Sequence, residues 1–236
     1  MYSDVYKFSL WGLGSEVMRK YLFICYLGLF IISFFSLKVF AAEILLDNYQ
    51  GGLSPKWEEK SFKGETLYEV TQEDNLRCIK ATSHSSASGL SYKINYDTKN
   101  YPILTWRWKV DHILLKGNAL EKDGDDYAAR IYVVFPSLMF WKTRAINYIW
   151  ANKLPRGKAV TSPFTKNSIM IAVESGESKT GQWVEERRNV FEDFRMHFGQ
   201  DPPRVGAISI MTDTDNTGEE AIAWYGPIRI LSLSSP

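Results

Sequence analysis

The stretch "ILTWRWKV", residues 103–110, decides the fold class because its apolar and polar side chains alternate. In an extended chain, successive side chains point to opposite faces. The apolar residues therefore share one face: Leu104, Trp106, Trp108 and Val110. The polar residues share the other face: Thr105, Arg107 and Lys109. Such alternation is typical of a β-strand that covers an apolar core on one side.

The same alternation recurs along the chain. In "YAARIYVVF", residues 127–135, the face that carries Ile131 and Val133 lies opposite the face that carries Arg130 and Tyr132. Further short strands are expected at nine places: 44–46, 67–70, 76–81, 89–95, 146–151, 169–175, 205–211, 221–225 and 228–233. Short strands at this spacing, bounded by turn-forming residues, predict a β-sandwich instead of alternating strands and helices.

One helix interrupts the strand pattern, in "RNVFEDFRMHFGQDPP", residues 188–203. Asn189 is a suitable N-cap with Glu192 three residues later, and Gly199 stands where a left-handed residue ends a helix. The apolar residues repeat at helical spacing: Val190, Phe191, Phe194 and Phe198. This pattern predicts a short amphipathic helix at about 190–198.

Residues 1–42 read as an N-terminal signal segment. Positive charge at Arg19 precedes an apolar run over residues 21–40, and small residues follow it. This order is typical of a secretory signal peptide, cleaved here after Ala41 or Ala42. An uncleaved membrane anchor over the apolar run is the alternative, because the run is long enough to span a bilayer.

The rest of the chain, residues 43–236, is expected to form a single domain, since its length suits one sizeable core. Translation is expected to start at Met18 instead of Met1, because the signal pattern begins there. We expect the domain to be exported to the periplasm or the cell exterior, with a membrane partner only if the anchor is retained. The 28 Lys and Arg balance 27 Asp and Glu, which argues against nucleic acid as a partner.

Several motifs together are similar to a known family: "GDDYAARIYVVF", "INYIWAN", "MIAVESG" and "GQWVEERRNVFEDFRMHFGQDPPRVGAISIMTDTDNTGEEAIAWYG". The chain resembles an exported bacterial family that is catalogued only as a domain of unknown function. The resemblance covers nearly all of residues 43–236 and implies a mainly β, jelly-roll-like sandwich. It implies no reaction and no catalytic residues. At position 227 this chain has a proline, where the family pattern typically has an acidic residue. Any role that the acidic residue has in the family is therefore not transferred to this chain.

Enzyme signatures are absent from the sequence. It has no nucleophile elbow, no His-Glu-x-x-His pair, no phosphate-binding glycine loop and no dinucleotide fingerprint. A glycan-cleaving enzyme would need two carboxylates on either side of the scissile bond. Several carboxylates stand at expected strand ends, and no pair is singled out: Asp125, Asp126, Glu174, Glu185 and Glu186. The sequence therefore favours a non-enzyme.

Polar side chains with period two suggest a ligand-binding face. If the strands that carry Arg107, Arg130 and Glu174 are neighbours in one sheet, these side chains lie together, opposite the core. The predicted ligand-binding set is Arg107, Lys109, Arg130, Tyr132, Asn147, Trp150 and Glu174. Arginine, tyrosine and tryptophan in a shallow groove suit a sugar or a small polar ligand. The alternative is a charged outer ladder, with Trp106, Trp108 and Trp224 packed in the core.

The stretch "DTDNTGEE", residues 213–220, suggests a calcium loop. Alternate oxygen-bearing side chains followed by a glycine can surround a hard cation. The predicted ligands are Asp213, Asp215, Thr217 and Glu219. The alternative is an Asx-rich turn with a left-handed residue at Asn216 or Gly218. A structural Ca²⁺ is therefore the one cofactor that the sequence suggests.

Taken together, these patterns predict an exported protein whose role is the non-catalytic binding of a carbohydrate or envelope glycan. Two alternatives remain open at this level. One is a periplasmic or secreted glycan-cleaving enzyme that uses a carboxylate pair. The other is a purely structural envelope component.

Overall fold

The computed structural model describes residues 42–233. The predicted signal peptide, the anchor over 21–40 and the start at Met18 lie outside the described residues. No helix in the described part of the chain combines the length and the hydropathy that crossing a membrane requires.

Residues 42–233 form fourteen β-strands and one α-helix, which is α1, Val190–Phe198. The strands are β1 Glu43–Asp47, β2 Trp57–Lys63, β3 Leu67–Glu73, β4 Leu76–His84, β5 Ala87–Tyr96, β6 Ile103–Val110, β7 Arg130–Phe135, β8 Arg144–Ala151, β9 Ala159–Thr161, β10 Ser168–Ser175, β11 Val184–Asn189, β12 Val205–Asp213, β13 Glu220–Tyr225 and β14 Ile228–Leu231. Two short 3₁₀ turns lie at Lys122–Gly124 and Phe140–Lys142.

The strands form two sheets of seven. The first sheet has the order β1-β14-β6-β13-β4-β3, and β11 pairs with the other edge of β6. The second sheet has the order β2-β5-β12-β7-β8-β10-β9. All the strand pairs are antiparallel except β8 and β10, which run parallel. The prediction of a mainly β, jelly-roll-like sandwich with one short helix is confirmed.

Aromatic rings from both sheets meet in the core. Trp106 and Trp108 on β6 are buried and lie edge to face, with ring centroids 5.4 Å apart. The ring of Trp106 lies 5.3 Å from Tyr148 of β8, and that of Trp108 lies 5.9 Å from Trp150. Large aromatic side chains bury much apolar surface and also favour tilted or edge-to-face contacts. These four rings join the sheet that contains β6 to the sheet that contains β8.

Three strands escape prediction from the sequence, and each lies at a sheet edge. In β2, only Trp57 is buried and the remaining six residues are exposed. The sequence of β11, "VEERRN", is mostly charged, and β9 has only three residues. After Trp57, both faces of β2 are open to solvent, and β11 has the polar residues Glu186 and Arg188 at inward positions, so neither strand alternates in polarity. Periodicity therefore detects the central strands and misses these.

Helix α1 begins and ends at the predicted residues. The Asn189 side chain accepts a hydrogen bond from the backbone N–H of Glu192 at 3.1 Å, and Gly199 has the left-handed φ of 68°. Phe194 is fully buried and packs on Phe135 of β7, with ring centroids 4.5 Å apart. Asp193 is also buried and accepts a hydrogen bond from the Tyr148 hydroxyl at 2.7 Å. Both contacts fix the helix against the second sheet.

We expect Asn189→Ala to lower the free energy of unfolding by about 1 kcal/mol, because it leaves a first-turn N–H without its acceptor. Asn189→Asp keeps an acceptor and is the matched control, with a stability close to that of the parent protein. Urea unfolding followed by fluorescence measures both variants. An alanine variant as stable as the aspartate variant would contradict the role of this cap.

Candidate functional site

The outer face of the first sheet carries a row of charged and aromatic side chains. Glu69 pairs with Lys80 across β3 and β4, and Lys80 pairs with Trp224 of β13. Trp224 in turn pairs with Lys109 of β6. Residues that are opposite each other in a sheet share a face, so this row crosses four adjacent strands. Trp224 is half-buried on this outer face, whereas the alternative interpretation of the sequence had placed it in the core.

A second tryptophan lies at the edge of the same face. Val184 of β11 pairs with Trp108, so the preceding residue, Trp183, lies on the side of β6 that carries Arg107 and Lys109. The guanidinium carbon of Arg107 lies 5.7 Å from the centroid of the Trp183 ring. We call Arg107, Lys109, Trp183 and Trp224 the tryptophan face.

The tryptophan face contains two hydrogen-bond donors without acceptors. The Nε of Arg107 and the Nε1 of Trp183 are buried atoms with no hydrogen-bond partner in the described part of the chain. Buried donors are paired in most proteins, so an unpaired donor calls for an explanation. Because both atoms are buried, a ligand with hydroxyl oxygens accepts from these N–H groups only when the side chain of Arg107 or Trp183 turns outward.

Lys109 is fixed in place by the β3–β4 hairpin. Its Nζ lies 2.6 Å from Glu73 Oε1 and 3.0 Å from Asp74 Oδ2, and 5.1 Å from the centroid of the Trp224 ring. Asp74 and Asn75 have positive φ of 48° and 62°, which is the conformation of a tight two-residue hairpin. The hydrogen bond to Glu73 raises the pKa of Lys109, so the amine stays charged.

The structure does not bring the seven predicted ligand-binding residues together. Arg107 lies in the first sheet, whereas Arg130, Tyr132 and Asn147 lie on the outer face of the second. The premise that β6, β7 and β10 are neighbours is wrong, because β6 belongs to the other sheet and β8 separates β7 from β10. Alternation places side chains on a face but does not say which strands pair.

Arg130 is buried beneath the segment that precedes β7. It is only 5% exposed, and its guanidinium carbon lies 5.2 Å from the ring of Tyr127 and 5.3 Å from that of Tyr132. Its charge is paired with the carboxylate of Asp213. Asn147 on the neighbouring strand is 1% exposed. This part of the predicted face is therefore an internal charge cluster.

Two further predicted residues point between the sheets. Trp150 is fully buried in the core. Glu174 is 3% exposed and is paired with Lys179, with 2.6 Å between the carboxylate and the amine. Of the predicted set, Arg107 and Lys109 are the two that belong to the tryptophan face. Trp183 and Trp224 were missed because one precedes an edge strand and the other had been interpreted as part of the core.

A second group of carboxylates lies at the edge of the sandwich. Glu186 of β11 pairs with Trp106 and therefore shares its inward orientation. It is 5% exposed, and its Oε1 atom has no hydrogen-bond partner among the described residues. Burial raises the pKa of Glu186 from 4.5 to about 7, and the negative charge of Glu174 adds to this effect while Arg156 opposes it. The neighbouring Glu185 is exposed.

The stretch "DTDNTGEE" forms a turn that other parts of the protein hold. Asp126 Oδ2 accepts hydrogen bonds from the backbone N–H groups of Asn216 at 3.0 Å and Thr217 at 2.6 Å. Both oxygens of Glu219 accept backbone N–H groups of the segment after β6, at 3.1 Å each. Gly218 has the left-handed φ of 69°. The left-handed Gly218 agrees with the turn that the sequence offered as an alternative, but the hydrogen bonds that hold the turn come from distant segments and not from its own Asp and Asn side chains.

Calcium binding by this turn stays a prediction, with a changed set of ligands. Carboxylate oxygens of Asp126, Asp213 and Asp215 come within 4.8 Å of one another, whereas Glu219 is engaged elsewhere. Arg130 already places a positive charge against Asp213.

Binding of calcium would raise the unfolding temperature in calcium titrations, and Asp215→Asn would abolish that rise.

We expect Glu186→Gln to remove a pH dependence of stability. A carboxyl whose folded pKa is raised contributes most to stability below its unfolded pKa of 4.5, and that contribution is lost as the pH rises through 7. The glutamine has no charge to bury, so the variant should gain stability relative to the parent between pH 5 and pH 8. Thermal unfolding at both pH values measures this, and the exposed Glu185→Gln is the control. A difference between variant and parent that does not change with pH would contradict the raised pKa.

Known structures share this fold at low sequence identity. The family 30 carbohydrate-binding module of the cellulosomal cellulase Cel9D-Cel44B of Clostridium thermocellum superimposes with a TM-score of 0.50 and 11% identity, over 82% of this chain and 99% of that chain. The family 11 module of Lic26A-Cel5E from the same organism has a TM-score of 0.48 and 11% identity, over 84% of this chain and 98% of that chain. At 11% identity, the comparison with the family 30 module supports the β-sandwich fold and says nothing about function.

A family model confirms the resemblance that the sequence motifs indicated. No curated protein sequence matches the chain. The model described as "Protein of unknown function (DUF3047)" matches residues 55–229, which span both sheets and the helix. Since this match covers well over half of the sequence, the chain belongs to the DUF3047 family.

Proposed function

We propose that the protein is an exported, non-catalytic binding protein for a carbohydrate or envelope glycan, and that the tryptophan face holds the ligand. One observation carries this proposal. Two half-buried indole rings, Trp183 and Trp224, lie on one sheet face with the cationic side chains of Arg107 and Lys109 beside them.

The spacing of the two tryptophans suits an extended oligosaccharide. Trp224 lies on β13 and Trp183 precedes β11, and β6 runs between these two strands. Two strand spacings amount to about 10 Å. A sugar ring has an apolar face that can pack on an indole, and its hydroxyls can pair with N–H groups. Two rings on a flat sheet can therefore contact separate sugar units of one chain.

The charged side chains of the face fix the geometry of the rings. Arg107 and Lys109 each place a cation near one indole, an arrangement that stabilises the ring orientation. Lys109 is held by two carboxylates and cannot move freely. A face that is ordered before the ligand arrives loses less entropy on binding.

The comparison with the family 30 module supports the proposal without establishing it. The two chains share a fold, and the name of that module describes a carbohydrate-binding protein. Folds of this kind host unrelated functions, so the argument depends on the side chains of the face.

A second candidate function depends on Glu186 and Glu174. Hydrolysis of a glycan needs one protonated and one ionised carboxyl group. A pKa of about 7 would keep much of Glu186 protonated near neutral pH, and Glu174 is paired with Lys179. In a glycan-cleaving enzyme Glu186 would be the general acid. Release of reducing ends from glycans by the parent protein, but not by Glu186→Gln, would favour this enzyme over a binding protein.

We expect Trp183→Ala and Trp224→Ala each to weaken glycan binding by about tenfold, because each removes one ring from the binding surface. Retardation of the protein in native gels that contain soluble β-glucans, xylans or peptidoglycan fragments measures the affinity. Trp141→Ala is the matched control, since this exposed tryptophan lies outside the tryptophan face, and it should bind like the parent.

Two results would refute the proposed face. One is a Trp183→Ala, Trp224→Ala double variant that unfolds at the same temperature as the parent and keeps its glycan affinity. The other is a parent protein that binds no glycan among these three classes.

A further inference from the structure

Five large apolar side chains project from one end of the second sheet. They belong to the segment 136–143 between β7 and β8 and to the segment 162–167 between β9 and β10. The side chain of Leu138 is fully exposed, and the relative exposures of Phe140 and Trp141 are 80% and 61%. We call the tip the side chains of Leu138, Met139, Phe140, Trp141 and Phe164.

The backbone beneath the tip is ordered by its own hydrogen bonds. The N–H of Lys142 donates to the carbonyl of Met139 at 2.8 Å, and the N–H of Thr143 donates to that of Phe140 at 3.0 Å. The side-chain amide of Asn167 donates to the carbonyl of Trp141 at 2.7 Å and thereby joins the two segments. The rings of Phe140 and Trp141 lie edge to face, 5.1 Å apart. The apolar side chains are therefore held outward by a defined turn.

Such a group of side chains requires a partner surface. Single exposed apolar residues are common, whereas a contiguous group of this size marks a site of interaction with a protein, a ligand or a membrane. Aromatic rings at the end of a turn can enter the interfacial region of a bilayer, where tryptophan is favoured.

The charges around the tip indicate which partner fits. Three basic residues lie at this end of the second sheet, Lys142, Arg144 and Lys166, and no acidic residue stands in the two segments that form the tip. Lys142 and Lys166 are exposed beside the apolar side chains and form no ion pair with any described carboxylate. The amine of Lys122 lies 5.6 Å from the ring of Phe164, but the exposed Glu121 and Asp123 on either side of Lys122 offset its charge, so Lys142 and Lys166 carry the positive charge of the rim. A positively charged rim around an apolar centre is complementary to an anionic surface.

We propose that the tip docks the protein on a bilayer that contains anionic lipid. The apolar side chains would enter the membrane interface, and Lys142 and Lys166 would contact lipid phosphate groups. Binding would therefore combine apolar burial with electrostatic attraction. A second copy of the chain is a poorer partner, because two basic rims would repel each other. A neutral glycan would gain little from the basic rim. This docking is independent of the tryptophan face, which lies on the other sheet.

Hydrogen–deuterium exchange of the full chain tests the proposal because it measures protection of the tip residues separately from that of residues 1–42. The probe is a vesicle of phosphatidylcholine with about a third phosphatidylglycerol, compared with phosphatidylcholine alone. With anionic vesicles we expect exchange of the backbone N–H groups of 137–143 and 164–167 to slow at least about threefold. Raising the salt concentration should reduce this protection, since it screens the headgroup contacts.

Matched variants separate the apolar and the charged contributions. Phe140→Ser with Trp141→Ser should abolish the protection, whereas Phe62→Ser, at another exposed aromatic residue, should keep it. Lys142→Glu with Lys166→Glu should also abolish it, whereas the exposed Lys60→Glu should not.

Three results would overturn the inference. The first is unchanged exchange at the tip with both kinds of vesicle. The second is protection that neither pair of tip substitutions removes. The third is protection without vesicles that grows with protein concentration, which would assign the tip to contact between copies of the chain.

Discussion

The contact between Trp106 and Trp108 on one sheet and Tyr148 and Trp150 on the other is the interaction on which the rest of the structure depends. It brings the central strands β6 and β8 together across the core. Once these rings are buried, the alternation of each strand decides which side chains face outward. The tryptophan face exists because Arg107 and Lys109 alternate with the two buried tryptophans.

The two faces of the sandwich differ in what covers them. On the second sheet, the segment before β7 closes over Arg130, so that its charge is neutralised inside the protein by Asp213. On the first sheet, Trp224, Lys80 and Arg107 remain half-buried and only Lys109 among these side chains is buried. A buried ion pair of this kind contributes little net stability, because both charges lose their hydration. The accessible face is therefore the one that can exchange protein contacts for contacts with a ligand.

The candidate site could be predicted in part. Arg107 and Lys109 were assigned correctly to an outer face because they alternate with buried residues on a central strand. Arg130 has the same pattern, but its face is covered by Tyr127, which the sequence pattern had included in the strand and which lies before the first residue of β7. Trp183 was out of reach for a different reason: it precedes the edge strand β11, whose sequence is mostly charged. Glu186 was named among the candidate carboxylates, but its inward orientation depends on the pairing of β11 with β6. In the turn at residues 213–220, the residue types suit either an ion or hydrogen bonds. The structure shows which backbone N–H groups Asp126 and Glu219 bind, and calcium binding by Asp126, Asp213 and Asp215 stays a prediction.

By itself the sequence determined the fold class, the central strands, the capped helix and the family, because these follow from local periodicity and from motifs that are contiguous in the chain. Tertiary structure alone decided which strands are neighbours, which polar faces are covered and which apolar side chains are left outside. These outcomes depend on contacts between residues far apart in the sequence, such as Trp224 with Lys109 or Asn167 with Trp141. Periodicity contains no information on such pairs, since any outward-facing strand has the same alternation wherever it lies in the sandwich.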